Sequence, residues 1–163
     1  MTQQLDLPDI QGNVIRPYGR FGYPVGRYVF YNISEGAVAR AFVAALIERV
    51  TTSVDWGDGP DQRPQPPWTL NLAFSYQGLK SLELPVASLI GFSPEFVQGM
   101  KDRRDILGDN GPSAPEHWDP IWQRNRETRE HDVHIFVQIN ARSTEQREAA
   151  YRWLCDKAAA FAP

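Results

Sequence analysis

The sequence predicts an α+β domain of the ferredoxin-like type: an antiparallel sheet with helices on one face. Three observations carry this expectation. Segments of strand character alternate with segments of helical character along the chain. The clearest strand, Asp132 to Asn140, is apolar at Val133, Ile135, Val137 and Ile139, the side-chain period of a sheet with one buried face. The last segment opens with Ser143 and Gln146 at capping-box spacing and then carries Ala150, Trp153, Leu154 and Phe161 as an apolar stripe.

The elements follow in order. Arg27 to Ile33 is rich in β-branched and aromatic residues and reads as the first strand. Ser34 can cap the next segment. From Ala37 to Val50, Val38, Ala41, Phe42, Ala45 and Leu46 recur at helical spacing. Gly57 to Pro67 breaks regular structure with its prolines and glycines. Thr69 to Tyr76 is the second strand, with Leu70, Leu72, Phe74 and Tyr76 alternating with Thr69, Asn71, Ala73 and Ser75. Short helices are expected over 79–84 and 94–106. The polar stretch from Gly108 to Glu130, with three prolines, is expected to be a surface loop. Strand 132–140 and the last helix complete the series. A full ferredoxin-like unit has a fourth strand, and Val86 to Gly91 is the one candidate for it inside the chain.

Length and composition bound the function. At 163 residues the chain is one domain with room for a core. A net charge of −3, without a Lys/Arg block, argues against nucleic acid as a partner. Apolar runs are too short to span a bilayer, and the polar N-terminus lacks the pattern of a signal peptide. The lone Cys155 excludes an internal disulfide and fits a reducing compartment, hence the cytoplasm.

The candidate chemistry is sparse. The three histidines are His117, His131 and His134. His131 and His134 fall on opposite strand faces, a poor chelate geometry, so no metal site is assigned. His134 is read first as a hydrogen-bonded interior histidine; it is also the one candidate for contact with a cofactor. Strand period places it with Phe136 and Gln138 on the second, semi-polar sheet face. That face either meets another body or lies under the long loop. Asp102, Asp105 and Asp109 read as a solvated helix face paired with Arg103 and Arg104. Gly19, Gly22 and Gly26 lack the strand-to-helix setting of a phosphate loop. No nucleophile elbow is present, and Cys155 reads as packed rather than reactive. Trp118, Trp122 and Trp153 read as packing residues. No catalytic residue is assigned.

Several phrases nevertheless stand in a distinctive order: Asp9-Ile10-Gln11-Gly12-Asn13, then Arg49-Val50-Thr51-Thr52, then Thr69 to Leu79 (TLNLAFSYQGL), then Phe96-Val97-Gln98-Gly99-Met100 and Leu107-Gly108-Asp109. Together they resemble the N-terminal half of dye-decolorising (DyP-type) haem peroxidases, from about Leu5 to the last helix. The resemblance implies half of a dimeric α+β barrel-like architecture. It places the last strand of this unit after the last helix, beyond Pro163, so the unit is expected to lack it. It also implies two facing sheets with a haem cavity between them. The family's Gly-x-x-Asp-Gly motif, distal Arg and proximal His are not found in this sequence. Haem is therefore expected of the complete family protein, and no haem contact is assigned to this chain beyond the candidate His134. Two functions are expected. One is the N-terminal part of a peroxidase oxidising dyes and aromatic substrates with hydrogen peroxide, its reaction centre supplied by a complementary C-terminal half of a split or cleaved protein. The other is a non-catalytic ferredoxin-like binding or dimerisation module, with a homodimer partner as the alternative to the complementary half.

Overall fold

The computed structural model describes residues 5–57, 59, 62–122 and 132–161. Three strands are present among them: β1 (Val25–Tyr31), β2 (Trp68–Phe74) and β3 (Ile135–Ala141). They form one antiparallel sheet in the order β1-β3-β2. This is the ferredoxin-like order, in which a fourth strand would pair with β1. The α-helices are α1 (Gly12–Ile15), α2 (Gly36–Ile47), α3 (Tyr76–Ser81), α4 (Val86–Ile90), α5 (Pro94–Asp102), α6 (Arg104–Leu107) and α7 (Thr144–Ala159). The expected fourth-strand candidate is thus a helix, α4. Pro85 stands at its N-cap and its carbonyl accepts from Ser88 and Leu89, so a five-residue apolar run closes a helical turn. The expected loop after Gly108 holds three 3-10 turns, Gly111–Ser113, Pro115–His117 and Pro120–Trp122; its remainder, 123–130, lies outside the described residues.

The chain divides into two compact units, and β1 and β3 each run through both. The first takes in the described parts of Met1–Val29, Arg40–Ala73 and Val137–Pro163. Its core is substantial: Phe42, Leu46, Leu70, Leu72, Val137, Ile139, Ala150 and Leu154 are buried, as are Tyr18, Tyr23 and Trp68. α7 forms as its sequence dictates, with Ser143 Oγ accepting from the Gln146 N–H at 3.2 Å to satisfy an orphan donor of the first turn.

β2 is buried along Trp68–Leu72 on both faces, not on one. The N-terminal segment covers its polar side. Gln11 acts there as a surrogate strand residue. Its Nε2 donates to Leu72 O at 2.8 Å, while its Oε1 accepts from Leu72 N at 2.8 Å and from Asn71 Nδ2 at 3.1 Å. Thr51 does the same one step along, donating its N–H to Leu70 O at 2.8 Å and accepting the Leu70 N–H on Oγ1 at 3.1 Å. Backbone groups that an edge strand would leave bare are thereby paired.

The second unit comprises Phe30–Ala39 and the described part of Phe74–Phe136. It buries little. Of the sixteen buried apolar residues described, it holds four: Ala39, Leu82, Ala114 and Ile135. None of the residues of α4, α5 or α6 is buried.

Candidate functional site

The approach to β3 positions His134. His134 N donates to Tyr31 O at 2.9 Å, and Asn32 Nδ2 donates to Asp132 O at 2.9 Å. The His134 ring is 3% exposed, and its Nδ1 accepts the Ile33 N–H at 2.8 Å. With Nδ1 an acceptor, the neutral ring carries its proton on Nε2, which lies 3.9 Å from Asp132 Oδ2. The alternation expected of the strand holds from Ile135 to Ala141, where odd positions are buried and even positions half-buried. His134 departs from it. It precedes the strand and is buried, as an interior, hydrogen-bonded histidine is expected to be, whereas Phe136 and Gln138 are half-buried. The ring of His134 does not fit axial ligation of haem iron as it stands: its Nδ1 accepts the Ile33 N–H, and its Nε2 lies 3.9 Å from the buried Asp132 carboxylate.

The other candidates are placed as follows. His117 is exposed on the turn Pro115–His117, and His131 lies outside the described residues. Asp105 lies 3.9 Å from Arg104, which also pairs with Glu116 at 3.1 Å, while Arg103 pairs with Glu95 at 3.4 Å. These are solvent-screened pairs of small energetic weight. Cys155 is exposed, contrary to the expectation that it is packed. Its thiol hydrogen-bonds Tyr151 and holds that phenol above its ordinary pKa. Trp118 Nε1 donates to Ser113 O at 2.9 Å, Trp122 meets Phe30 edge-on at 4.9 Å, and Trp153 lies 5.6 Å from Trp68. Among the described residues, no group of three His, Cys, Asp or Glu side chains could hold a metal.

The first unit contains a second polar constellation, which sequence reasoning did not single out. Arg16, 8% exposed, donates to Ser53 O at 2.9 Å and to Asp55 at 2.7 Å, with its guanidinium 4.7 Å from the centre of the Trp56 ring. Tyr18 stacks on Trp56 at 6.2 Å, and burial pushes its phenol up to about 12. These contacts tie Arg16 of the N-terminal segment to Ser53, Asp55 and Trp56.

The second unit carries two adjoining grooves. One, of about 450 Å³, is lined by Gln77, Met100, Lys101, Trp118, Trp122 and Asp132 among others. The other, of about 460 Å³, lies between α3, α5 and α6 and is lined by Tyr76, Phe96, Met100 and Leu107, with Glu95 and Arg103 also present. Gly99 borders both. Its φ of 70° interrupts α5 in a conformation that glycine adopts without a Cβ penalty.

The ordered phrases of the sequence thus acquire physical roles. Gln11 closes the β2 edge. A Cβ on Gly12 would collide with Tyr18 Oη, and one on Gly78 with the His134 carbonyl. These are contacts within the scaffold.

Residues 9–159 match the model of the DyP dimeric alpha+beta barrel domain, and the chain belongs to that family. Solved structures share the fold. A dye-decolorising peroxidase from Auricularia auricula-judae has a TM-score of 0.69 at 17% identity, covering 96% of this chain and 31% of its own. A DyP-type peroxidase from Anabaena sp. has a TM-score of 0.68 at 19% identity, covering 93% of this chain and 32% of its own. A mutant of the Pleurotus ostreatus enzyme has a TM-score of 0.66 at 19% identity, covering 95% and 32%. The chain spans about a third of the length of these structures. No curated protein matches the sequence. No helix among the described residues is long and apolar enough to cross a membrane.

Proposed function

We propose that this chain, acting as one domain, is the N-terminal part of a DyP-type haem peroxidase that oxidises dyes or aromatic substrates with hydrogen peroxide, and that a complementary C-terminal part brings the haem and the reaction centre. The observation that carries the reading is family membership over residues 9–159, in a chain that spans about a third of the length of the solved structures it matches. Peroxidase chemistry needs a proximal ligand on the iron and a distal acid–base group to cleave the O–O bond, and neither can be assigned here. The role of this chain is then to supply one sheet and its covering helices. The exposed free Cys155 is compatible with a reducing compartment, and we place the protein in the cytoplasm on that basis.

A second reading, a non-catalytic dimerisation module, draws on the exposure of Tyr28 and Phe30 along β1, 62% and 42% exposed. One experiment separates the two. The isolated chain is reconstituted with haem, freed of unbound haem, and assayed for dye oxidation, alone and with the polypeptide of the same genome that carries the family's Gly-x-x-Asp-Gly motif and proximal histidine. Turnover only in the mixture supports the first reading. Robust turnover by the chain alone refutes it, and a stable haem-free homodimer indifferent to the second polypeptide favours the module.

A further inference from the structure

We infer that the groove between α3, α5 and α6 is the seat of an apolar segment of the complementary part of the peroxidase; the inference rests on the reading just proposed. The second unit sets the argument. Its helices α4, α5 and α6 have 5, 9 and 4 residues and bury no side chain. Helices this short are marginal in water and persist by packing an apolar face. Yet Phe92, Phe96, Met100 and Leu107 stand 38%, 36%, 64% and 49% exposed. They form one surface. Phe92 and Phe96 are 5.0 Å apart, Tyr76 lies 6.2 Å from Phe96, and Phe96, Met100 and Leu107 line the same cavity of about 460 Å³. An apolar patch that its own unit leaves uncovered marks a docking surface.

Charge and chain length identify the occupant. The two charges at the groove, Glu95 and Arg103, pair with each other at 3.4 Å, so the surface offers no net charge to an ionic partner. What remains is an apolar centre with a self-paired polar neighbour, the composition of an interface core that takes apolar side chains. The solved relatives match nearly all of this chain with about a third of their own length, so most of such a protein lies outside the matched region and is available to fill the groove. A groove of this size suits the apolar face of an amphipathic segment.

The test titrates residues 1–163 with the polypeptide of the same genome that bears the family's distal and proximal haem residues, in wild type and in Met100→Glu, Phe96→Ser and Met100→Leu. Met100 is largely exposed, so Met100→Glu is expected to keep the circular dichroism and melting of wild type. The expected result is at least a tenfold loss of affinity for Met100→Glu and Phe96→Ser, with Met100→Leu binding as wild type. Equal binding by all four overturns the groove assignment and leaves the proposed function standing. No binding even by wild type removes the proposed function and this inference with it. A homodimer that Met100→Glu converts to monomer, and that the second polypeptide does not displace, assigns the groove to a second copy and overturns the inference.

Discussion

Gly78→Ala tests how tightly the α3 turn is docked on the approach to β3. Ser75 caps α3, its Oγ accepting the Gly78 N–H at 3.0 Å and donating to Val133 O at 2.6 Å, while Ser75 N donates to His134 O at 3.2 Å. A Cβ at Gly78 would overlap the His134 carbonyl oxygen and sit 2.7 Å from its carbon and 2.9 Å from Cα. The obstacle is backbone, so no rotamer change relieves it. The two segments must part by more than half an ångström, weakening both Ser75 bonds. Overpacking costs roughly 1–3 kcal/mol, and each weakened hydrogen bond about 1 kcal/mol. Alanine returns about 1 kcal/mol of helix propensity. The net expectation is a loss of about 2–4 kcal/mol, read by urea titration with far-UV circular dichroism. Gly91→Ala is the control: its nearest neighbour is Ser88 O at 3.7 Å and its backbone is right-handed helical, so it should be neutral or mildly stabilising. If Gly78→Ala behaves like Gly91→Ala, the steric argument is wrong.

Ile135→Asp should abolish folding. Ile135 is 1% exposed, and an unpaired buried carboxylate costs several kcal/mol beyond the lost apolar burial; a native-like circular dichroism spectrum would contradict this. Gln11→Ala should cost about 1–3 kcal/mol by stranding the Leu72 and Asn71 donors, and should accelerate hydrogen exchange at the Leu72 amide; unchanged exchange would show that Gln11 does not guard that edge. Burial holds the Tyr18 phenol up near 12 against a reference of 10.0, so its contribution is complete below pH 10 and lost as pH rises from 10 to about 12. Tyr18→Phe should flatten that alkaline limb in melting experiments, and an identical limb would place the titration elsewhere.

Much of the sheet was legible because its strands alternate. Ile135, Val137 and Ile139 are buried as the period requires, while Val133, expected with them, precedes the strand and is half-buried, and β1 and β2 begin one or two residues from their expected starts. What escaped was non-local. His134 is interior and hydrogen-bonded, as its first reading expected, but its partner, the Ile33 N–H, lies a hundred positions away and was not legible. The Val86–Gly91 run could be strand or helix by composition, and Pro85 decided it. Asn71 reads from the sequence only as an alternating polar position of the second strand; its cover, Gln11, is sixty residues upstream. The signal for that cover was in the Gln-Gly phrase, whose role could not be seen without its partner.

The two ends of the sheet are built differently, and this bears on function. At β2 the groups of Leu70 and Leu72 are met by Thr51 and by the Gln11 amide, which offers a donor and an acceptor as a strand residue would. A further strand cannot add there without displacing them. At the other end, no strand adjoins the outer side of β1 among the described residues. β1 also displays Tyr28 and Phe30, aromatic side chains of high strand propensity, in place of the lysines and prolines that commonly blunt a sheet edge. A ferredoxin-like order is completed by adding a strand beside β1, so the edge left open among the described residues is the one at which that strand would pair.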